Sequence, residues 1–92
     1  MKIGVPKEIK IHEYRVGMTP SSVRELVALG HTVYVETKAG AGIDFSDEDY
    51  CRAGAEILST AQEVFFKADL IVKVKEPQEA EWKMLQPHHT LF

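Results

Sequence analysis

Leu70-Ile71-Val72-Lys73-Val74 is the most strand-like run in the chain, rich in β-branched residues and with little alternation of apolar and polar positions. A strand covered on one face alternates. A strand covered on both faces reads as a nearly continuous apolar run, as in parallel sheets. Glu76-Pro77 ends the run, because proline brings no N–H to a ladder. Upstream, Thr60 with Glu63 has the spacing of a capping box and predicts a helix to about Lys67. Downstream, Glu79 to Leu85 predicts a short helix and Thr90 to Phe92 the start of another strand.

The same alternation of elements runs through the first half. Lys2 to Val5 is a short apolar strand ended by Pro6, followed by a polar loop from Lys7 to Met18. Loops that long in a compact domain are often functional. Thr19 is a good N-cap, with Pro20 at the first helical position, where a missing N–H costs nothing. Val23, Leu26 and Val27 form the apolar stripe, and Gly30 supplies the stop. Thr32 to Val35 has strand composition, with Val33 and Val35 on one face. Thr37 to Ile43 is a Gly/Ala-rich loop, Ser46 with Asp49 resembles a capping box for a helix through Arg52, and Ala55 to Leu58 is a short strand. The order β-α-β-α-β-α-β-α predicts an α/β fold: a single three-layer, doubly wound, Rossmann-like or flavodoxin-like unit with a mainly parallel sheet and right-handed crossovers.

Ninety-two residues suffice for one compact domain, and 45% apolar residues suffice for its core. A net charge of −3 and the absence of a Lys/Arg cluster argue against nucleic acid as a partner. No apolar run approaches a membrane span, and the start has no signal-peptide pattern. Cys51, the single cysteine, cannot form an internal disulfide and reads as a small half-buried residue on a helix. One free thiol fits a reducing compartment, so a cytoplasmic location is expected. The apolar, uncapped Leu91-Phe92 end predicts a piece cut from a longer chain.

In open α/β sheets ligands bind outside the carboxyl ends of the strands. That rule selects the loop after the first strand, with Lys7, Glu8, Glu13 and Arg15, and the end of Leu70–Val74, with Lys75 and Glu76. Arg15 and Lys75 converging there would make an anion site. The planar guanidinium suits a carboxylate, and the ammonium suits a neighbouring oxygen. Lys73, before the strand end, reads as structural, and so does Glu76. Gly40-Ala41-Gly42 lacks the third glycine of a dinucleotide fingerprint and reads as a permissive turn, so no cofactor-binding residue is expected. His88 and His89 are adjacent, hence poor joint ligands, and His12 and His31 have no companion, so no metal site is expected.

Several stretches resemble the alanine dehydrogenase and nicotinamide nucleotide transhydrogenase family. They are the opening Met1-Lys2-Ile3-Gly4-Val5-Pro6-Lys7-Glu8-Ile9-Lys10, the Glu13-x-Arg15-Val16-x-x-x-Pro20 pattern, Gly30-His31-x-Val33-Tyr34-Val35, Lys38 to Gly42, Tyr50 to Ala55, and Val72-Lys73-Val74-Lys75-Glu76-Pro77. Leu91-Phe92 is similar to the first two residues of a further strand of alanine dehydrogenases. The resemblance implies that residues 1–92 are an incomplete N-terminal substrate-binding domain of an NAD-dependent alanine dehydrogenase. Its NAD-binding Rossmann domain and acid/base histidine would lie outside this chain. Such enzymes convert L-alanine and NAD reversibly to pyruvate, ammonium and NADH, and a homo-oligomer, a hexamer, is implied. By the same resemblance Arg15 holds the substrate carboxylate, and Lys75, as the catalytic lysine, contacts the carbonyl oxygen.

Lys75-Glu76 before the proline favours alanine dehydrogenase over the alpha subunit of a proton-translocating transhydrogenase, where other residues tend to stand. Saccharopine-type dehydrogenases share less of the opening. A non-catalytic module that binds carboxylates or oligomerises is the reading from another class, and the isolated piece is expected to be inactive.

Overall fold

The computed structural model describes residues 1–9, 15–74 and 78–91, and of Glu79 and Ala80 only the backbone. Five strands form one parallel sheet: β1 (Lys2–Val5), β2 (Thr32–Glu36), β3 (Glu56–Leu58), β4 (Leu70–Ile71) and β5 (Thr90–Leu91). Their spatial order is β3-β2-β1-β4-β5, so the chain reverses direction across the sheet between β3 and β4. Four helices connect them: α1 (Pro20–Ala28), α2 (Asp47–Arg52), α3 (Ala61–Lys67) and α4 (Glu79–Trp82). The α/β, doubly wound expectation holds, and the sheet is parallel throughout the described strands.

Helices cover both faces. Ile3, Val5, Val33 and Val35 project to one side and pack with Val23 of α1 and with Tyr50 and Ala53 beside α2. Phe65 and Ala68 pack with Ile71 and Tyr34 on the other side, joined by Met84 and Leu85 after α4. Gly4 permits the close approach of α3, since a Cβ there would stand 2.7 Å from the Ala68 Cβ and 2.8 Å from a Val64 methyl.

Local chemistry sets most of the boundaries. The Thr19 hydroxyl accepts the Ser22 N–H, Pro20 opens α1, and Gly30 takes a φ of 94° beyond its end. Ser46 and Asp49 form the expected capping box. The Thr60–Glu63 pair makes only half of one. Thr60 accepts the Glu63 N–H, but the Glu63 carboxylate takes the Thr60 and Ser59 hydroxyls rather than the N-cap amide. Cys51 is exposed rather than half-buried, because α2 turns Tyr50 to the core and leaves its neighbour on the outer face.

β4 is shorter than its sequence predicts. The Val72 N–H still donates to the Gly4 carbonyl at 2.9 Å. In a parallel ladder the next residue of β1 to exchange both bonds is Pro6, which has no N–H. The ladder stops there although the β-branched composition runs on to Val74.

Candidate functional site

The parallel sheet sets the carboxyl ends of β1, β2 and β4 side by side, at Val5, Glu36 and Ile71. A group of charged residues gathers beyond them. Glu8, three residues after β1, is 7% exposed. Lys73, two residues after β4, has a side chain only 2% exposed, and Glu81 of α4 is 1% exposed. The Lys73 Nζ donates to Glu8 Oε1 at 3.1 Å and stands 2.9 Å from Glu81 Oε2. The second contact is an ion pair without hydrogen-bond alignment, so charge rather than a directed N–H holds Glu81 Oε2.

The other carboxylate oxygens bind backbone. Glu8 Oε2 accepts the Val74 N–H at 3.0 Å. This is the amide that an unbroken ladder would have paired with Pro6. Glu81 Oε1 accepts the Gln78 N–H at 2.9 Å, as the third residue of a helix reaching back to its N-cap. Burying two carboxylates against one ammonium would be costly alone, and these two amides help offset the excess negative charge.

Glu36, at the end of β2, lies beside this group. Its Oε1 accepts the Lys7 N–H at 2.8 Å. Burial raises its pKa above the ordinary glutamate value. The Lys7 amide and charge oppose that rise, the negative charge of Glu81 adds to it, and Lys73 opposes it.

Arg15 is exposed, and the residues that follow it are anchored to the same edge. Val16 is buried with Val72 in the core cluster. Gly17 lies so close to β4 that a Cβ would stand 2.4 Å from the Val72 carbonyl oxygen. The Met18 carbonyl accepts the Tyr50 hydroxyl at 2.8 Å. Tyr50 has no exposed surface, and burial followed by the charge of Asp49 pushes its phenol up to about 12. The Tyr50 ring is in turn accommodated by Gly40, where a Cβ would meet its Cε2 at 2.8 Å. Gly40 serves this close packing with a φ of −97°, and the positive φ angles of its turn fall on Lys38 and Asp44.

Of the residues singled out in the sequence, Glu8 is bound at the strand-end edge, Arg15 is exposed next to residues packed there, and Lys7 is exposed with its N–H on Glu36. Glu13, His12, Lys75 and Glu76 lie outside the described residues, as does Phe92. Lys73 is buried in an ion-pair network, in keeping with a structural reading. The network is not legible in the sequence, since Glu8 and Lys73 are 65 residues apart and no motif marks Glu81. His89 is structural. Its Nδ1 accepts the Gln86 N–H, which makes Nε2 the donor to the Phe65 carbonyl. Among the described residues no cluster of His, Cys, Asp and Glu could hold a metal ion, and no helix is long and apolar enough to cross a membrane.

Open grooves lie elsewhere among the described residues. One, of about 510 Å³, borders Phe45 and Asp47, and another, of about 600 Å³, borders Phe66, Met84 and His88. Neither has Arg15 or the Glu8–Lys73–Glu81 network in its wall.

Comparison with known proteins matches residues 4–92 to the alanine dehydrogenase/PNT N-terminal domain. All 92 residues align at 52% identity with an alanine dehydrogenase of Methanococcus maripaludis, and at 53% with one of Halomonas elongata. The chain spans about a quarter (25%) of the length of each of these relatives. A solved L-alanine dehydrogenase superposes on 99% of the chain with a TM-score of 0.96 at 52% identity, the chain covering 25% of it. A transhydrogenase from Sinorhizobium meliloti superposes on 99% with a TM-score of 0.91 at 33% identity, the chain covering 27% of it.

Proposed function

Given that the chain belongs to the alanine dehydrogenase/PNT N-terminal domain family, we propose that it is the substrate-gripping N-terminal part of an NAD-dependent alanine dehydrogenase. The observation that carries this reading is identity. The chain is 52–53% identical along its whole length to proteins named alanine dehydrogenase, against 33% to the transhydrogenase.

In this reading Arg15 pairs its guanidinium with the carboxylate of L-alanine or pyruvate, and Lys75 neutralises the substrate carbonyl oxygen. Exposure of Arg15 on the strand-end edge supports the first role. The second rests on the family motif Val72-Lys73-Val74-Lys75-Glu76-Pro77. The Gly/Ala-rich turn does not have the geometry of a dinucleotide fingerprint. Gly40-Ala41-Gly42 opens a 3-10 turn rather than a helix after a strand, and Gly40 is packed on Tyr50. By the family resemblance, NAD belongs to a further domain of the working enzyme, and residues 1–92 act as the incomplete substrate domain. A homo-oligomer, a hexamer by family resemblance, and a cytoplasmic location complete the proposal.

The test is alanine-dependent NAD reduction by the full-length enzyme carrying this chain as its N-terminal quarter, alongside Arg15→Ala and Lys75→Ala. Each variant is expected to stay folded and to lose kcat/KM by about a hundredfold or more, the weight of a charge-assisted contact to a substrate. A wild type inert with alanine that instead exchanges hydride between NADH and an NADP analogue would make the chain a transhydrogenase part.

A further inference from the structure

We infer that Glu8, Lys73 and Glu81 are positioning residues for the substrate grip, acting through the backbone on either side of the strand-end edge. The inference rests on the proposed roles of Arg15 and Lys75 and adds three residues to which the family motif assigns no role.

The geometry converges on the stretch 72–74. Gly17, two residues after Arg15, packs on the Val72 carbonyl. Glu8, from the start of the same long loop, holds both the Lys73 ammonium and the Val74 amide. Lys73 passes the tie on to Glu81, whose other oxygen fixes the Gln78 N–H. The first loop, the end of β4 and the start of α4 are therefore joined at one buried point. Lys75 follows two residues after Lys73, and Arg15 stands two residues before Gly17.

A network serving stability alone has no need of charge. An apolar trio of similar volume would fill this space without burying two carboxylates, often at no loss of stability. What the charged arrangement adds is direction: Glu8 accepts from Lys73 through one oxygen and from Val74 through the other, so a shift of loop or strand end disturbs contacts with a buried charge. Substrate-holding groups require such fixed supports, because small misplacements at a binding pair weaken the hold on substrate and lower kcat/KM.

Glu8→Gln in the full-length enzyme is the direct test. The amide keeps the volume, but Lys73 and Val74 are served by different Glu8 oxygens, and in glutamine one of the two positions becomes an NH2 donor that cannot accept. KM for pyruvate is expected to rise about five- to tenfold with kcat changed less than about twofold, a loss of alignment in binding rather than of chemistry. Glu81→Gln, which keeps an acceptor for the Gln78 N–H, should show the same split in smaller measure and serves if Glu8→Gln does not fold. Val27→Ala, at the opposite end of α1, is the control for mere destabilisation and should leave KM unchanged. An unchanged KM in whichever folded variant is read, or an equal rise in Val27→Ala, overturns the positioning role. Failure of the underlying reading looks different, since Arg15→Ala and Lys75→Ala would then be without effect.

Discussion

Val5 and Val35 pair on neighbouring strands with no exposed surface, and they sit among apolar side chains from α1 and α2. Three residues beyond Val5, Glu8 is almost as deeply buried, yet it meets an ammonium, a second carboxylate across it and a backbone amide. The apolar layer is held by area and tolerates substitutions that keep volume. The strand-end edge is held by direction and charge, and tolerates almost none that remove a partner. The contrast separates a region that makes the fold from one where the fold has placed costly groups for another purpose.

The strongest way to break the comparison is Lys73→Met. Methionine matches the length of lysine and would suit the apolar layer, so a network that is only a plug of core should accept it. If charge is what holds the edge, two buried carboxylates lose their shared cation and about 3–5 kcal/mol of stability goes. Native-state hydrogen exchange reads the difference locally. The Val74 amide should lose its protection well before those of Val33 and Val35. Equal protection across wild type and variant would put Lys73 in the same class as Val5.

The two regions also differ in how far the sequence reveals them. The α1 boundaries are legible because Thr19, Pro20 and Gly30 act on their own neighbours. The Ser46–Asp49 box is equally local. β4 is overread because the cause of its ending, Pro6, lies far away in sequence, just beyond the end of β1. The Thr60–Glu63 spacing promises a reciprocal box, but competing hydroxyls of Ser59 and Thr60 take the carboxylate. The strand-end edge is legible from the parallel topology, but the place of Lys73 is misread: β4 ends at Ile71, so Lys73 lies beyond the strand end rather than before it. The Glu8–Lys73–Glu81 network is not legible, since no periodicity links residues brought together only by the crossover. Gly40 misleads for the same reason: its need is room for a ring from α2, not a left-handed turn.

Tyr50 joins the two regions, with its ring in the apolar layer and its hydroxyl on the Met18 carbonyl near the edge. Tyr50→Phe keeps the ring and deletes the tie, at a cost of about 1 kcal/mol. The pH dependence sharpens this. With the folded phenol pushed up to about 12, ionisation is resisted in the native state and free in the unfolded one. Its contribution is therefore complete below the ordinary tyrosine pKa of 10 and is lost as pH rises from there to about 12. The fall in stability across that window should be shallower in Tyr50→Phe. An identical fall would mean that the hydroxyl is already open to water.

The smallest expected effect has the opposite sign. Glu36 borders the charged edge but shares little of its compensation, and burial raises its pKa against the opposing Lys7 amide and charge. A raised carboxyl favours the protonated form on folding. Its contribution is present below the ordinary glutamate value and is lost as pH climbs through the folded one. At neutral pH the charged form is thus a mild burden on stability. Glu36→Gln keeps an acceptor for the Lys7 N–H and removes a negative charge beside Glu81. The variant should be slightly more stable than wild type near pH 7 and indistinguishable from it in acid, where Glu36 is already neutral. A loss of stability near pH 7 would place the Glu36 carboxylate among the compensated charges, with Glu8, and would extend the directional edge to the end of β2.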